Sequence, residues 1–420
     1  STEHHPPMME RTYSAGAVGE GRSSPSAVRI FLVFLRLGCT SFGGPVAHIG
    51  YFRDAFVRRL RWLDEASFAD LVALCQFLPG PASSQVGMGI GLELAGLRGA
   101  IAAFLGFTLP SAVLMGLFAY GVGAAHGPID AGILSGLAIV AVAVVAEAVR
   151  GMARSLVTGR AGMTIALAAL IAALLWPGSL AQVAILLAGG LAGYAVGGVD
   201  GADLPAAAPA AAAKGPMPPA WLGGAALGLF AVLLVGLPLL AGATGAPVLH
   251  LLEGLYRAGA LVFGGGHVVL PLLKESVAAA GFVPETALVA GYGAAQAMPG
   301  PLFSLAAYIG VAAALPTPWL GGVLATLALF APAFLLVVGV LPFWRALRRV
   351  APIRQALGGV NAAVVGLLAA ALYDPVFTTA IHGARDLALA VACYGLLVVA
   401  RLPAWLVVLL AAGGGWIIAG

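Results

Sequence analysis

Long apolar runs separated by short polar loops govern most of the chain. The stretches Ala161 to Trp176 with its flanks, Trp221 to Gly242 and Trp319 to Leu341 carry no charge. They match the length of about 18 residues that argues for a membrane-spanning helix. Lipid offers no partner for backbone amides and carbonyls, so a chain in the bilayer must close its hydrogen bonds within helices or a barrel. Runs of this length, rather than ten-residue alternations, select helices. The predicted fold class is therefore an all-α polytopic membrane protein.

Composition agrees: the 420 residues are 61% hydrophobic and 9% charged, where an average soluble domain has roughly 25% charged residues. The net charge of +4 comes from 21 basic and 17 acidic residues, with most Arg in short loops, which is an orientation signal. Lipid, and not nucleic acid, is the expected macromolecular surroundings. Cys39, Cys75 and Cys393 lie in apolar segments at irregular spacing, so neither a disulfide framework nor a metal site is expected, and packing is their role. Residues 1–27 are polar and lack the apolar core of an export signal, and they read as a disordered tail.

The chain repeats itself. Arg36-Leu37-Gly38-Cys39-Thr40-Ser41-Phe42-Gly43-Gly44 aligns without a gap on Arg257-Ala258-Gly259-Ala260-Leu261-Val262-Phe263-Gly264-Gly265, sharing the Arg, the Gly and Phe-Gly-Gly. Gln76-Phe77-Leu78-Pro79-Gly80-Pro81 matches Gln296-Ala297-Met298-Pro299-Gly300-Pro301, with Arg53-Asp54 against Lys274-Glu275 and Glu65 against Glu285 between them. A duplication is implied. The predicted domains are a first module over 28–198, an Ala/Pro-rich linker over 199–219, a connecting transmembrane helix over 220–247 and a second module over 248–420. The odd connecting helix turns the second copy upside down, giving an inverted repeat.

Charge tests that arrangement. If every apolar segment crossed the membrane, the loop holding Arg53, Arg58, Arg59 and Arg61 would face outward, against the positive-inside rule. If Val28 to Phe56 dips in and returns at Phe-Gly-Gly, each limb has ~14 residues and ~21 Å, too short for a core of ~30 Å. A second hairpin over Ser67 to Leu94 turns at Pro79-Gly80-Pro81. The hairpin arrangement obeys the rule at every loop and the all-spanning one breaks it at one.

Phe-Gly-Gly and Pro-Gly-Pro interrupt helices because Pro deletes an amide donor and Gly allows a turn. A single break could be a kink or a close helix contact. Non-helical backbone at membrane depth must be buried in protein or face water, and four matched breaks favour a site. Pro45, Pro81 and Pro301 are expected at the first position of a returning half-helix, leaving free amides aimed at the tip. Converging helix N-termini make an anion site. The candidate binding residues are Arg36, Phe42, Gly43, Gly44, His48, Gln76, Pro79, Gly80, Pro81, Ser83, Ser84, Arg257, Gly264, Gly265, His267, Gln296, Pro299, Gly300 and Pro301.

Each has a rival reading. Arg36 and Arg257 inside apolar limbs are functional suspects or snorkelling side chains. Gln76, Gln296, Ser83, Ser84 and Gln85 offer neutral donors to an oxyanion or cap frayed helix ends, and Leu302 and Phe303 make the second copy less polar. His48 and His267 carry a proton or donate a hydrogen bond. Glu93 and Glu147 couple transport to protons, or pair with Arg98 and Arg150. Asn361 and Asp374 are weaker candidates. No HExxH, GxSxG or Walker loop occurs, so neither catalysis, a cofactor nor ATP-driven pumping is expected.

The Arg-x5-Phe-Gly-Gly element, the Ala47-His48-Ile49 after the first Gly-Gly-Pro and the Gln-x2-Pro-Gly-Pro element resemble the two-domain chromate transporter family. The resemblance covers nearly all of residues 28 to 400, although the second copy lacks the Pro and Ala-His-Ile at Gly266-His267. It implies export of chromate across a bacterial inner membrane, driven by an ion gradient or the membrane potential, with sulfate as a competing analogue. A passive anion channel and an uptake carrier for sulfate or another oxyanion remain the alternatives, and the oligomeric state stays open, a homodimer included.

Overall fold

The computed structural model describes residues 25–124, 128–157, 159–176, 179–196, 219–263, 268–313, 315–344 and 351–419, and their regular structure is entirely helical. Most of the expected tail and linker lie outside the described residues. The Ser26 side chain accepts a hydrogen bond from the Arg29 amide, so the first helix starts at Ala27, inside the stretch assigned to the tail. A capping hydroxyl satisfies one of the orphan amides that a helix start leaves.

The first module comprises α1 (Ala27–Thr40), α2 (Gly44–Phe52), α3 (Glu65–Phe77), α4 (Ala82–Ala124), α5 (Pro128–Leu156), α6 (Gly159–Leu175) and α7 (Ser179–Val196). The connecting helix α8 (Ala220–Thr244) precedes α9 (Pro247–Leu261), α10 (Val269–Leu273), α11 (Glu285–Ala295), α12 (Leu305–Ala312), α13 (Pro318–Val340), α14 (Ala351–Ala371), α15 (Ala384–Val398) and α16 (Ala404–Ala419). Five stretches among the described residues are long and apolar enough to cross a membrane, and Leu187, Leu191, Val232 and Val235 stand exposed on helix surfaces that lipid would cover. The chain is a multi-pass membrane protein.

One of those stretches is not a single rod. Ala95 and Gly96 leave helical geometry inside α4, and the Gly91 and Gly99 backbones touch: a Cβ on Gly91 would lie 2.2 Å from the Gly99 carbonyl oxygen. Residues eight apart in a straight helix are ~12 Å apart, so the chain reverses there. We call residues 82–94 α4a and 97–124 α4b. The second copy repeats the reversal between α12 and α13, where a Cβ on Gly310 would lie 2.2 Å from the Gly321 carbonyl oxygen. Each copy thus holds a short helix that turns back into a long one.

The two copies match in packing as well as in sequence. In α1, Ile30, Phe34 and Gly38 form the buried stripe, spaced four apart as a helix requires. Gly38 packs on α4b, where a Cβ would meet the Phe107 carbonyl oxygen at 2.7 Å, and its counterpart Gly259 packs on α13 against the Leu329 carbonyl oxygen at 2.2 Å. Each short limb after the first break ends in a π-turn segment, Arg53–Arg59 and Lys274–Ala278. The charges that align in sequence form the same ion pair in each copy, Arg53 to Glu65 at 2.6 Å and Lys274 to Glu285 at 3.1 Å.

Lys274 also reaches Asp374 at 2.6 Å. Burial opposes its charge, but hydrogen bonds to Asp374 and Glu285 outweigh that and raise its pKa above the ordinary lysine value. Three charges in one network, with Lys274 and Glu285 partly buried, resist water better than one exposed pair. Lys274→Ala is expected to lower the thermal midpoint in detergent by more than Arg53→Ala does, with a loss of about 1 kcal/mol; equal midpoints would refute this.

The modules exchange their last helices. The long α5 of the first packs against α15 and α16 of the second, while α14 of the second packs against α6 and α7 of the first. Glycines permit backbone contact at both places: a Cβ on Gly136 would lie 2.1 Å from the Ala411 carbonyl oxygen, and one on Gly359 would lie 2.0 Å from that of Gly189. Small residues replace the hydrophobic driving force that helices lack in lipid. The connecting helix α8 lies on α9 and α13, where the Tyr256 hydroxyl donates to the Phe230 carbonyl at 3.0 Å.

Candidate functional site

The described parts of the four breaks in the helices come together. In the first copy α1 stops at Thr40, and Gly43 and Gly44 take positive φ values of 99° and 77°. These conformations are open to Gly and strained for other residues. Helix α2 restarts at Gly44 with no side-chain cap and with Pro45 in its first turn. Helix α3 ends at Phe77, Gly80 adopts φ 129°, and α4a restarts at Ala82. The first amides of α2 and α4a therefore have no acceptor within their own helices.

Pro81 sits one residue earlier than the sequence predicts, since its carbonyl already accepts from the Gln85 amide at 2.9 Å, which makes it the cap. Pro301 does the same for the turn at 302–304, with an extended backbone at φ −73° and ψ 136°. A cap position makes no intrahelical use of its amide, so Pro costs nothing there.

Two reciprocal hydrogen bonds join the tips. The Gly80 amide donates to the Val262 carbonyl at 2.6 Å, and the Gly300 amide donates to the Ser41 carbonyl at 2.9 Å. Ser41 and Val262 are equivalent residues, as are Gly80 and Gly300, so each Pro-Gly-Pro is tied to the other module's Phe-Gly-Gly break. That exchange is a pseudo-two-fold relation.

Around it lies a buried polar cluster. Eight of the ten buried polar or charged residues among those described belong to it: Ser41, His48, Ser83, Ser84, Gln85, Thr108, Ser111 and Ser304, each at most 3% exposed. None is charged in its side chain except through His48. Some of their polar atoms are satisfied: His48 Nδ1 lies 3.2 Å from Ser83 Oγ, Gln85 Nε2 donates to the Pro79 carbonyl at 2.8 Å, and Ser111 and Ser304 share a hydrogen bond of 2.5 Å. Others are buried without a hydrogen-bond partner, namely Ser41 Oγ, His48 Nε2, Ser84 Oγ, Gln85 Oε1 and Thr108 Oγ1, and the same holds for Nε2 of the half-buried Gln296 at the Pro-Gly-Pro break. An unmet buried polar group costs about 1–3 kcal/mol, and six of them, on segments tied together at the tips, make a place for a polar guest. The donors are hydroxyls, an amide and helix N-termini, which suit an oxyanion held reversibly.

The structure sorts the candidates that the sequence suggests. His48, Ser83, Ser84, Gly80, Pro81, Gly300 and Pro301 are buried, and Pro79, Pro299, Phe42 and Gly44 are half-buried. The Phe42 ring lies 6.2 Å from that of Trp405. Gln296 is half-buried, whereas Gln76 and Gly43 are exposed. Arg36 is exposed as well; two residues from both Phe34 and Gly38, it points from the opposite side of α1. Its counterpart Arg257 is partly shielded, at 38% exposure, and reaches Glu253 at 3.3 Å. The two Arg share a sequence position and differ in environment, because the second copy supplies an acid where the first has Leu32. Gly264, Gly265 and His267 lie outside the described residues.

Of the carboxylates, Glu147 is held by Arg150 through hydrogen bonds of 2.5 and 2.7 Å, the pairing that the sequence allows as the rival to proton coupling. Glu93 is half-buried near the end of α4a. Asp374 serves the Lys274 network, and Asn361 is half-buried on α14. All three Cys are free, with Cys75 and Cys393 buried. No group of three potential metal ligands occurs among the described residues.

Sequence reasoning missed Thr108, Ser111 and Ser304. Thr108 and Ser111 flank Pro110 inside the apolar α4b, and a proline with hydroxyls on either side is the signal that could have revealed them. Thr108 also lines a cleft of about 160 Å³ between α4b, α12 and α13, beside Phe104, Leu109, Val311 and Trp319. That lining is apolar and cannot stabilise a divalent anion.

Comparison with known proteins finds relatives along most of the chain. The chain is 29% identical over 410 residues to a chromate transport protein of Pseudomonas aeruginosa, covering 93% of this chain and 92% of the relative. It is 25% identical to a chromate transport protein of Cupriavidus metallidurans, over 87% of this chain and 86% of the relative. It is also 27% identical to an uncharacterized transporter of Methanocaldococcus jannaschii, over 84% and 85% respectively. No solved structure matches. The sequence model of the chromate transporter family matches twice, at residues 28–194 and 249–416, which are the two copies that interlock at the breaks. On that double match this chain belongs to the chromate transporter family.

Proposed function

We propose that this protein is a secondary active transporter that exports chromate across a bacterial cytoplasmic membrane, and that it binds the dianion at half-helix N-termini near the bilayer midplane. The observation that carries this reading is the buried polar cluster at the meeting of the four breaks, with unpartnered polar atoms inside an otherwise apolar bundle. The chromate transport proteins among its relatives supply the substrate. Sulfate, of the same shape and charge, is the expected competitor.

The pseudo-two-fold relation between the modules supports an inverted repeat, in which the axis lies in the membrane plane and the short limbs are re-entrant. The loop charges favour that orientation over a parallel repeat. Inversion places the tips halfway through the bilayer, reachable alternately from either side as the modules rock. His48, Ser83, Ser84 and the first amides of α2 and α4a are the binding groups, and Gln296 is the contribution of the second copy. Arg36 and Arg257 draw the anion toward the tips from the limbs that carry them. Glu93 and Glu147 are the candidates for proton coupling, and Glu147 is held by Arg150.

Chromate flux in vesicles of known sidedness, with sulfate, molybdate and a protonophore added in turn, tests this. A carrier accelerates exchange from the far side and concentrates substrate against its gradient; conductance of many ions per opening would support a passive channel instead. Arg36→Ala and Arg257→Ala are each expected to abolish flux with expression intact. Normal flux in both variants would remove the two Arg from the transport path.

A further inference from the structure

Resting on the reading of the tips as an oxyanion site, we propose that Ser84 is the hydroxyl that takes the substrate, and that Ala333 is the residue that leaves it available. The duplication pairs Pro79-Gly80-Pro81 with Pro299-Gly300-Pro301, and so Ser84 with Ser304. It also pairs Pro110 with Pro332, each inside a long helix, and so Ser111 with Ala333.

Packing supports both equivalences independently. A Cβ on Gly300 would lie 2.8 Å from Ser111 Oγ, and a Cβ on Gly80 would lie 3.0 Å from the Ala333 Cβ. Four residues before these, the Phe107 and Leu329 carbonyls receive Gly38 and Gly259 in the same way.

In the second copy Ser304 spends its hydroxyl on Ser111, at 2.5 Å across the module boundary. In the first copy the residue equivalent to Ser111 is Ala333, packed against Gly80 and without a hydroxyl, so the corresponding bond cannot form. Ser84 is 3% exposed and its Oγ has no hydrogen-bond partner. It stands on the first turn of α4a, where backbone amides also lack acceptors, next to Ser83, which contacts His48. A hydroxyl there can donate to an oxyanion alongside those amides. One half of the duplicated site is thus closed by its own hydrogen bond and the other is open, which gives one substrate ion per chain.

Ala333→Ser in the full chain tests this. The added hydroxyl would engage Ser84 as Ser111 engages Ser304, so chromate flux in vesicles is expected to fall about tenfold, the worth of one hydrogen bond. The thermal midpoint in detergent is expected to rise. Ala333→Cys, similar in size and a weak hydrogen-bonding group, is expected to keep most of the flux. Ser111→Ala is expected to lower the thermal midpoint, because it removes the bond to Ser304. Wild-type flux in Ala333→Ser, or an equal loss in Ala333→Cys, overturns the proposal. Ser84→Ala separates it from the broader reading: lost flux there with normal flux in Ala333→Ser refutes only the role of Ala333, whereas normal flux in Ser84→Ala removes this tip from the binding site.

Discussion

Gly80→Ala is expected to abolish chromate transport while the protein still reaches the membrane, and Gly300→Ala is expected to do the same. Both glycines hold φ values that only glycine adopts without strain, 129° and 97°, and such strain costs about 1–3 kcal/mol. Space is short as well: the added carbon would lie 2.8 Å from Gln85 Nε2 at Gly80 and 2.8 Å from Ser111 Oγ at Gly300. Relief requires the tip to move, and movement breaks the hydrogen bonds that the Gly80 and Gly300 amides donate to the Val262 and Ser41 carbonyls across the two copies. Gly281→Ala is the control, since Gly281 also has positive φ, 79°, but no neighbour within 4 Å. Flux comparable to that control in either tip variant would show that the breaks do not shape the transport path.

Gly293→Val is expected to act on assembly rather than on the site. Gly293 of α11 faces α5 across the module boundary, and even a Cβ would lie 1.9 Å from the Leu137 carbonyl oxygen. No rotamer can relieve a clash with backbone, so the helices must separate, at a cost toward the upper end of the range of about 1–3 kcal/mol for overpacking. The expected result is loss of the monodisperse peak after detergent extraction. A stable, monodisperse variant would mean that α5 and α11 do not pack as described.

The positions of the breaks were legible because Pro and Gly impose them locally, and the duplication made each visible twice. The all-helical class followed from run length in the same way. What could not be read was the reciprocity. Gly80 to Val262 and Gly300 to Ser41 are backbone bonds between distant segments, and no side-chain pattern records them. The matched charges Arg53 with Glu65 and Lys274 with Glu285 were visible as alignments, but their pairing needed the fold.

The two Arg show the opposite limit. Their shared position was plain, yet Arg36 is exposed and Arg257 meets Glu253, because neighbours one turn away decide the environment. Thr108 and Ser111 escaped notice because isolated hydroxyls in an apolar run look like ordinary helix residues that bond their own backbone. Only the burial of Thr108 Oγ1 without a partner sets it apart.

The trading of terminal helices between the copies has a consequence for biogenesis. The first half leaves the ribosome with α5 built but its companions, α15 and α16, still untranslated. Until α15 and α16 emerge, that helix must wait against lipid or the insertion machinery, so the synthesis of those two helices completes both halves at once.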